Sequence, residues 1–125
     1  MRGYVLDTSF LSALYNTKDV NHKEAVEISK GVDASNLLIP FVVVAELANF
    51  KENERFRKLL LKEVRNIAQE IPTLDENDLE TYLSFIENLP NSMTTIDSMI
   101  LFVTVKYDAQ LVSFDKKMMK IAKRI

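Results

Sequence analysis

Four carboxylates in this chain stand where an acid has to be explained: Asp7, Glu46, Asp97 and Asp115. Asp7 ends the apolar run Tyr4-Val5-Leu6, and Thr8-Ser9-Phe10-Leu11-Ser12-Ala13-Leu14 follows it. Asp115 repeats that form after Leu111-Val112-Ser113-Phe114. Asp97 follows Thr94-Thr95-Ile96 at the head of an apolar segment, and Glu46 is the only charge between Pro40 and Ala48. Structural explanations exist for three of them. Asp is a favoured helix N-cap, which accounts for Asp7 and Asp115 at strand-to-helix junctions. Thr94 and Asp97 fit a capping box, and the helix dipole favours an acid there. Glu46 has no such explanation. A buried carboxylate needs a positive partner, a proton or a metal. No Lys or Arg lies between Lys30 and Lys51, and Lys51 is five residues away, off the helix-neighbour spacing. Four carboxylates without His or Cys would select a hard cation, Mg²⁺ or Mn²⁺, over zinc. Clustered without one, they repel, and one shifts towards neutrality. Such a site commonly handles phosphates, because the cation activates water and stabilises a leaving oxygen.

The elements that must position these acids are short. Residues 2–6 read as a first strand and 8–16 as a helix. A polar helix over 19–30 stops at Gly31. Leu37-Leu38-Ile39 reads as a buried strand ended by Pro40, followed by an apolar helix over 41–51. Residues 54–70 are amphipathic, with Phe56, Leu59, Leu60, Ile67, Ala68 and Ile71 on one face. Pro72 is expected to break that helix, and Thr73-Leu74 to add an edge strand. Helices are predicted over 76–88 and 95–107, a strand over Gln110–Phe114 and a last helix over 116–123. Apolar strands alternating with helices imply a mostly parallel sheet covered on both faces, an α/β/α sandwich. Two strand ends of a parallel sheet, each carrying an acid, then lie on the edge where such folds bind ligands.

Composition sets limits on function. The chain has 125 residues, no visible repeat and only two glycines and three prolines, so one domain over 1–125 is expected. Its net charge of −2 and pI near 5.4 argue against binding nucleic acid by bulk charge. There are no cysteines, which removes disulfide and thiolate chemistry and fits a cytoplasmic protein. The N-terminal run is interrupted by Asp7 before a signal sequence develops, and no stretch is long enough to span a membrane. The one histidine, His22, lies in a polar run and reads as a helix-surface residue.

In order and separation, Val5-Leu6-Asp7-Thr8-Ser9, Ala45-Glu46-Leu47, Asp97 and Leu111-Val112-Ser113-Phe114-Asp115 resemble the PIN-domain family, especially its small VapC-type toxins. The resemblance spans essentially the whole chain. It implies a ribonuclease on an α/β/α sandwich, with Asp7, Glu46, Asp97 and Asp115 as the acidic quartet that binds one or two Mg²⁺ or Mn²⁺ ions. Ser113 takes the place of a Ser/Thr two residues before the last acid. Ser9 and Ser113 are expected to hydrogen-bond the carboxylates or a bound water. The resemblance also implies a cognate antitoxin and a homodimer. The chain departs from the family where Ser98-Met99-Ile100-Leu101-Phe102 is bulkier than the usual small residues, and where Ser113 replaces the commoner Thr. Lys116 and Lys117 are candidate RNA contacts beside Asp115, with Lys120, Lys123 and Arg124 beyond them. Lys51, Arg55, Arg57, Lys58, Lys62 and Arg65 form a second basic cluster. The plainer reading of both groups is an ordinary solvated helix face.

Other readings differ in what they require. A dehalogenase-type phosphatase needs an acid at position 9, where Ser9 stands. A response-regulator receiver needs paired acids after the first strand, which Arg2-Gly3-Tyr4-Val5-Leu6-Asp7 lacks. A PIN-like scaffold that binds RNA or protein without cleavage, and an RNA-processing PIN endonuclease, remain as alternatives.

Overall fold

The structure, a computed structural model, describes residues 3–50 and 53–125. Arg2 and Lys51 lie outside the described residues. Strands β1 (Tyr4–Leu6), β2 (Leu37–Leu38) and β3 (Gln110–Val112) form a parallel sheet in the order β2-β1-β3. Between and after them run α1 (Thr8–Tyr15), α2 (His22–Lys30), α3 (Phe41–Ala48), α4 (Glu54–Ile67), α5 (Leu79–Glu87), α6 (Thr95–Lys106) and α7 (Lys116–Ala122). Successive strand side chains point to opposite faces. Val5 and Leu6 are 0% and 2% exposed, so both faces of the central strand are covered. This is the sandwich expected from the apolar runs. Helix α6 packs on β1, β3, α3, α5 and α7, and its Ser98 and Ile100–Thr104 are buried. That burial agrees with its lack of a polar face. The start of β1 lies against the loop before β2: a Cβ at Gly3 would come within 2.7 Å of the Asn36 carbonyl oxygen, so only glycine fits there without displacement.

The strand order matters for the site. The chain leaves β1 for β2 on one side, then crosses to β3 on the other. The C-terminal ends of β1 and β3 therefore flank a topological switch point, where open α/β sheets form a crevice. Register places Leu6 beside Val112, and the Asp7 N–H donates to the Val112 carbonyl at 3.4 Å. Residues 7 and 113 thus emerge side by side.

Several predicted boundaries shift: the helix expected over 41–51 ends at Ala48, and the strand expected to reach Phe114 ends at Val112, where the chain turns to place Ser113 and Asp115. Helix α2 begins at His22 because residues 16–21 are held in turns: Asp19 accepts from the Asn21 N–H at 2.8 Å. Helix α4 ends at Ile67, well before Pro72, and Ala68 is extended. The edge pairing consequently falls at Glu70, which bridges Leu38, and not at Thr73-Leu74. The Pro72 carbonyl instead accepts from Phe41 N–H at 2.8 Å. The predicted 76–88 helix opens with a tight turn, Glu76–Asp78, capped reciprocally by Asp75 and Asp78.

Candidate active site

Asp7 is fixed by the ends of two strands and the start of one helix. It is the N-cap of α1, and its Oδ1 accepts from the Phe10 N–H at 3.0 Å and from Ser9 Oγ at 2.9 Å. Ser113, arriving from β3, donates its hydroxyl to Asp7 Oδ2. The same Ser113 Oγ accepts from the Asp115 N–H at 2.9 Å and lies 3.3 Å from Ser9 Oγ. Ser9 Oγ in turn accepts from the Phe114 N–H at 3.0 Å. Two hydroxyls therefore lock the β1–α1 junction to the β3–α7 junction. Asp7 is only 4% exposed. Burial pushes its carboxyl above the ordinary carboxylate range; the bonds from Ser113, Phe10 and Ser9 oppose that shift, and the nearby Asp115 adds to it.

Asp115 caps α7, accepting from the Met118 N–H at 3.0 Å through Oδ1. Capping and proximity to Asp7 coexist at both junctions, because each cap uses one face of its carboxylate. Glu46, half-buried on α3, accepts a hydrogen bond from the Thr8 hydroxyl. Thr8 thus joins α3 to the start of α1 across 38 residues. In the sequence Thr8 stands beside the first acid with no sign of a partner on α3; a hydroxyl just inside a helix whose cap is an acid is the one available signal. Asp97 lies in the first turn of α6, where Thr94 caps its N–H at 3.1 Å. The reciprocal half of the expected capping box is absent among the described residues, which leaves the Asp97 carboxylate uncommitted there.

The structure therefore brings Asp7 and Asp115 together through Ser113, and brings Glu46 to the same helix start through Thr8. Asp97 shares no hydrogen bond with the other three, directly or through a hydroxyl, among the described residues. No group of three or more His, Cys, Asp or Glu side chains among the described residues is placed to hold a metal ion. The donor set is all carboxylate and hydroxyl oxygen, which suits Mg²⁺ or Mn²⁺ and no softer ion.

The candidate RNA contacts divide. Lys116 is exposed at the start of α7. Lys117 donates to Ser92 Oγ at 2.6 Å and to its carbonyl at 3.2 Å, tying α7 to the loop before α6. His22 is half-buried rather than on an open helix surface: its Nδ1 lies 2.9 Å from the Ala13 carbonyl and links α2 to α1.

The PIN domain family matches residues 4–124. VapC20 of Mycobacterium tuberculosis, described as a sarcin-ricin loop cleaving toxin, superposes with a TM-score of 0.76 at 18% identity, covering 94% of each chain. FitAcB of Neisseria gonorrhoeae gives 0.73 at 15% identity, over 96% of this chain and 93% of its own. FitAB bound to an IR36 DNA fragment gives 0.71 at 15% identity, over 96% and 90%. No curated protein matches the sequence. At these identities the structural likeness speaks for the fold.

Proposed function

The chain belongs to the PIN domain family, and from that premise we propose that it is a Mg²⁺- or Mn²⁺-dependent endoribonuclease, the toxin of a toxin–antitoxin pair. The observation that carries the reading is Asp7: a buried carboxylate at the sheet's switch point, held by Ser9 and by a Ser113 hydroxyl shared with Asp115. An acid kept at such a place against the cost of burial has work that a helix cap alone does not require. Asp7 and Asp115, joined through Ser113, are the residues that would first hold the cation, and Glu46 and Asp97, which the structure does not bring into one group with them, would complete the site by closing on the bound ion. Bound there, it would supply an activated water and charge stabilisation at a phosphodiester. Ser9 and Ser113 orient Asp7, Ser113 also fixes the Asp115 backbone, and Thr8 sets the Glu46 carboxylate. Hydrolysis by water gives 3′-hydroxyl and 5′-phosphate ends. The substrate is single-stranded or loop RNA, the class the sarcin-ricin loop cleaved by VapC20 represents.

A cognate antitoxin belongs to the same reading, supported by the toxin neighbour and by the FitAB assembly on DNA; a homodimer comes with it from the family resemblance alone. No helix among the described residues is long and apolar enough to cross a membrane, in keeping with a cytoplasmic site of action. The test is RNA incubated with the protein in Mg²⁺ or Mn²⁺. Cleavage is expected with either ion, and its loss with EDTA and in Asp7→Asn. Cleavage that survives EDTA, or full activity in Asp7→Asn, overturns the assignment.

A further inference from the structure

A cleft of about 790 Å³ opens one helical turn from the acidic site. Its position follows from helix geometry. Thr8 and Ser12 share one face of α1, and Glu46 and Asn49 share one face at the end of α3. The Thr8–Glu46 hydrogen bond closes one end of this shared groove, and Ser12 and Asn49 line the cleft at the other. The separation along either helix is about 5 Å, one turn.

The chemistry of the lining is specific. Phe50 and Phe56 stack at 6.4 Å between centroids and 24° between planes, forming an aromatic wall. Three asparagines face the same space, each with its amide orientation dictated by a backbone partner. The Lys18 N–H requires the Asn16 oxygen at 3.0 Å, and the Phe56 N–H requires the Asn53 oxygen at 3.0 Å. The Ala45 carbonyl requires the Asn49 amide nitrogen at 3.1 Å. What remains for a ligand is therefore defined: NH₂ groups from Asn16 and Asn53, and a carbonyl oxygen from Asn49. Tyr15 adds a phenol, which burial, with a contribution from Glu63, pushes above its ordinary range. Lys18 is exposed at the rim and forms no ion pair among the described residues.

Amide donors and an acceptor beside aromatic faces, with a cation at the edge, match the hydrogen-bonding edge, ring and phosphate of one unstacked nucleotide. An apolar side chain from a protein would leave these amides without partners, at a cost in affinity. We propose that this cleft binds an unpaired nucleobase of the RNA substrate, flanking the cleaved phosphodiester. Because a base in a duplex has its edge engaged, the cleft makes the enzyme select unpaired RNA. The inference rests on the ribonuclease reading for the identity of its ligand, while its test does not depend on cleavage.

The experiment uses the ¹⁵N-labelled full chain carrying Asp7→Asn, in EDTA, titrated with unstructured oligoribonucleotides of single base composition. The side-chain amide resonances of Asn16, Asn49 and Asn53 are expected to shift saturably with at least one of them. The same oligomer annealed to its complement should leave them unmoved. Asn49→Asp and Phe50→Leu should each weaken binding about tenfold, the order expected for losing one base contact. RNA that fails to bind, or binds without moving these amides, overturns the proposal, as does wild-type affinity in both variants. Shifts at the amides together with no cleavage by the wild-type protein in Mn²⁺ would retain the cleft and remove the nuclease reading; the reverse pattern would do the opposite.

Discussion

At Asp7, stability and function pull in opposite directions. Burial raises its carboxyl above the ordinary range even though three hydrogen bonds hold the charged form. An acid whose pKa rises on folding costs stability in full above its folded pKa, and the cost fades as pH falls from there to the unfolded value. A neutral amide of the same shape escapes that cost. Its oxygen can still accept from Phe10 and Ser9, and its nitrogen can donate to Ser113 Oγ. In EDTA at pH 7, Asp7→Asn should therefore melt above the wild type. The gap should hold down to the raised pKa of Asp7 and close as pH falls from there to the ordinary Asp value. Thermal melts across that range check this, and a variant that melts lower at pH 7 would mean the hydrogen bonds to the charged form outweigh burial. The tension was partly legible in the sequence, because an acid closing an apolar strand is either a cap or a site, and Asp7 caps α1 while sitting at the switch point. The Glu46 partner was not legible: Thr8 lies 38 residues away, and only the packing of α1 on α3 brings the two together. The Lys117 partner was hidden for a similar reason, since its attachment to Ser92 depends on how α7 meets the loop before α6.

Between elements, a second acid shows what a committed carboxylate looks like. Asp78 is buried and takes part in two arrangements. Its Oδ2 accepts from the Asp75 N–H at 3.0 Å, completing the capping box before α5, and its Oδ1 accepts from Lys106 Nζ at 2.7 Å at the end of α6. The Lys106 hydrogen bond, with the Asp75 N–H, holds the Asp78 carboxyl below its ordinary range, and the same contact raises Lys106. The depressed acid contributes stability above the ordinary Asp range, lost as pH falls through its lowered folded pKa. The raised amine contributes below the ordinary Lys range, lost as pH rises through its own folded pKa. Lys106→Met should lower the melting temperature throughout the window between those limits and match the wild type at low pH, where Asp78 is protonated. An equal deficit at low and neutral pH would assign the effect to lost packing of the lysine stem. The elements joined by this pair were readable as helices, because α5 and α6 carry clear apolar patterns. Their ends were not. The tight turn before α5 and the early stop of α4 depend on Asp75–Asp78 capping and on Glu70 pairing with Leu38, neither of which a hydrophobic period encodes.

Across the whole molecule, the proposed ribonuclease activity asks a chain of net charge −2 to admit a polyanion to an acidic crevice. Local placement of charge makes this feasible within a Debye length, though bulk charge does not. On α7 and just after it, Lys116, Lys120 and Lys123 recur at helical spacing and are all exposed, starting one residue beyond Asp115. Lys117 leaves that stripe to hold Ser92. Of the second basic cluster, Lys58 pairs with Glu54 at 3.3 Å, and Arg57 Nη1 donates to the Ala48 carbonyl at 3.4 Å, so those two are less available to a phosphate. Counter-ion release makes the distinction measurable, because each phosphate contact to single-stranded nucleic acid contributes about 0.7 to the slope of log affinity against log salt. With the Asp7→Asn chain in EDTA and a short unstructured RNA, Lys116→Gln should reduce that slope by about 0.7. Lys117→Gln should leave the slope unchanged, since its ammonium is engaged with the protein. Fluorescence anisotropy over a salt series reads both. An unchanged slope in Lys116→Gln would remove the α7 stripe from the RNA path. A drop in Lys117→Gln equal to that in Lys116→Gln would mean that RNA competes Lys117 away from Ser92, and would make the loop before Asp97 responsive to substrate.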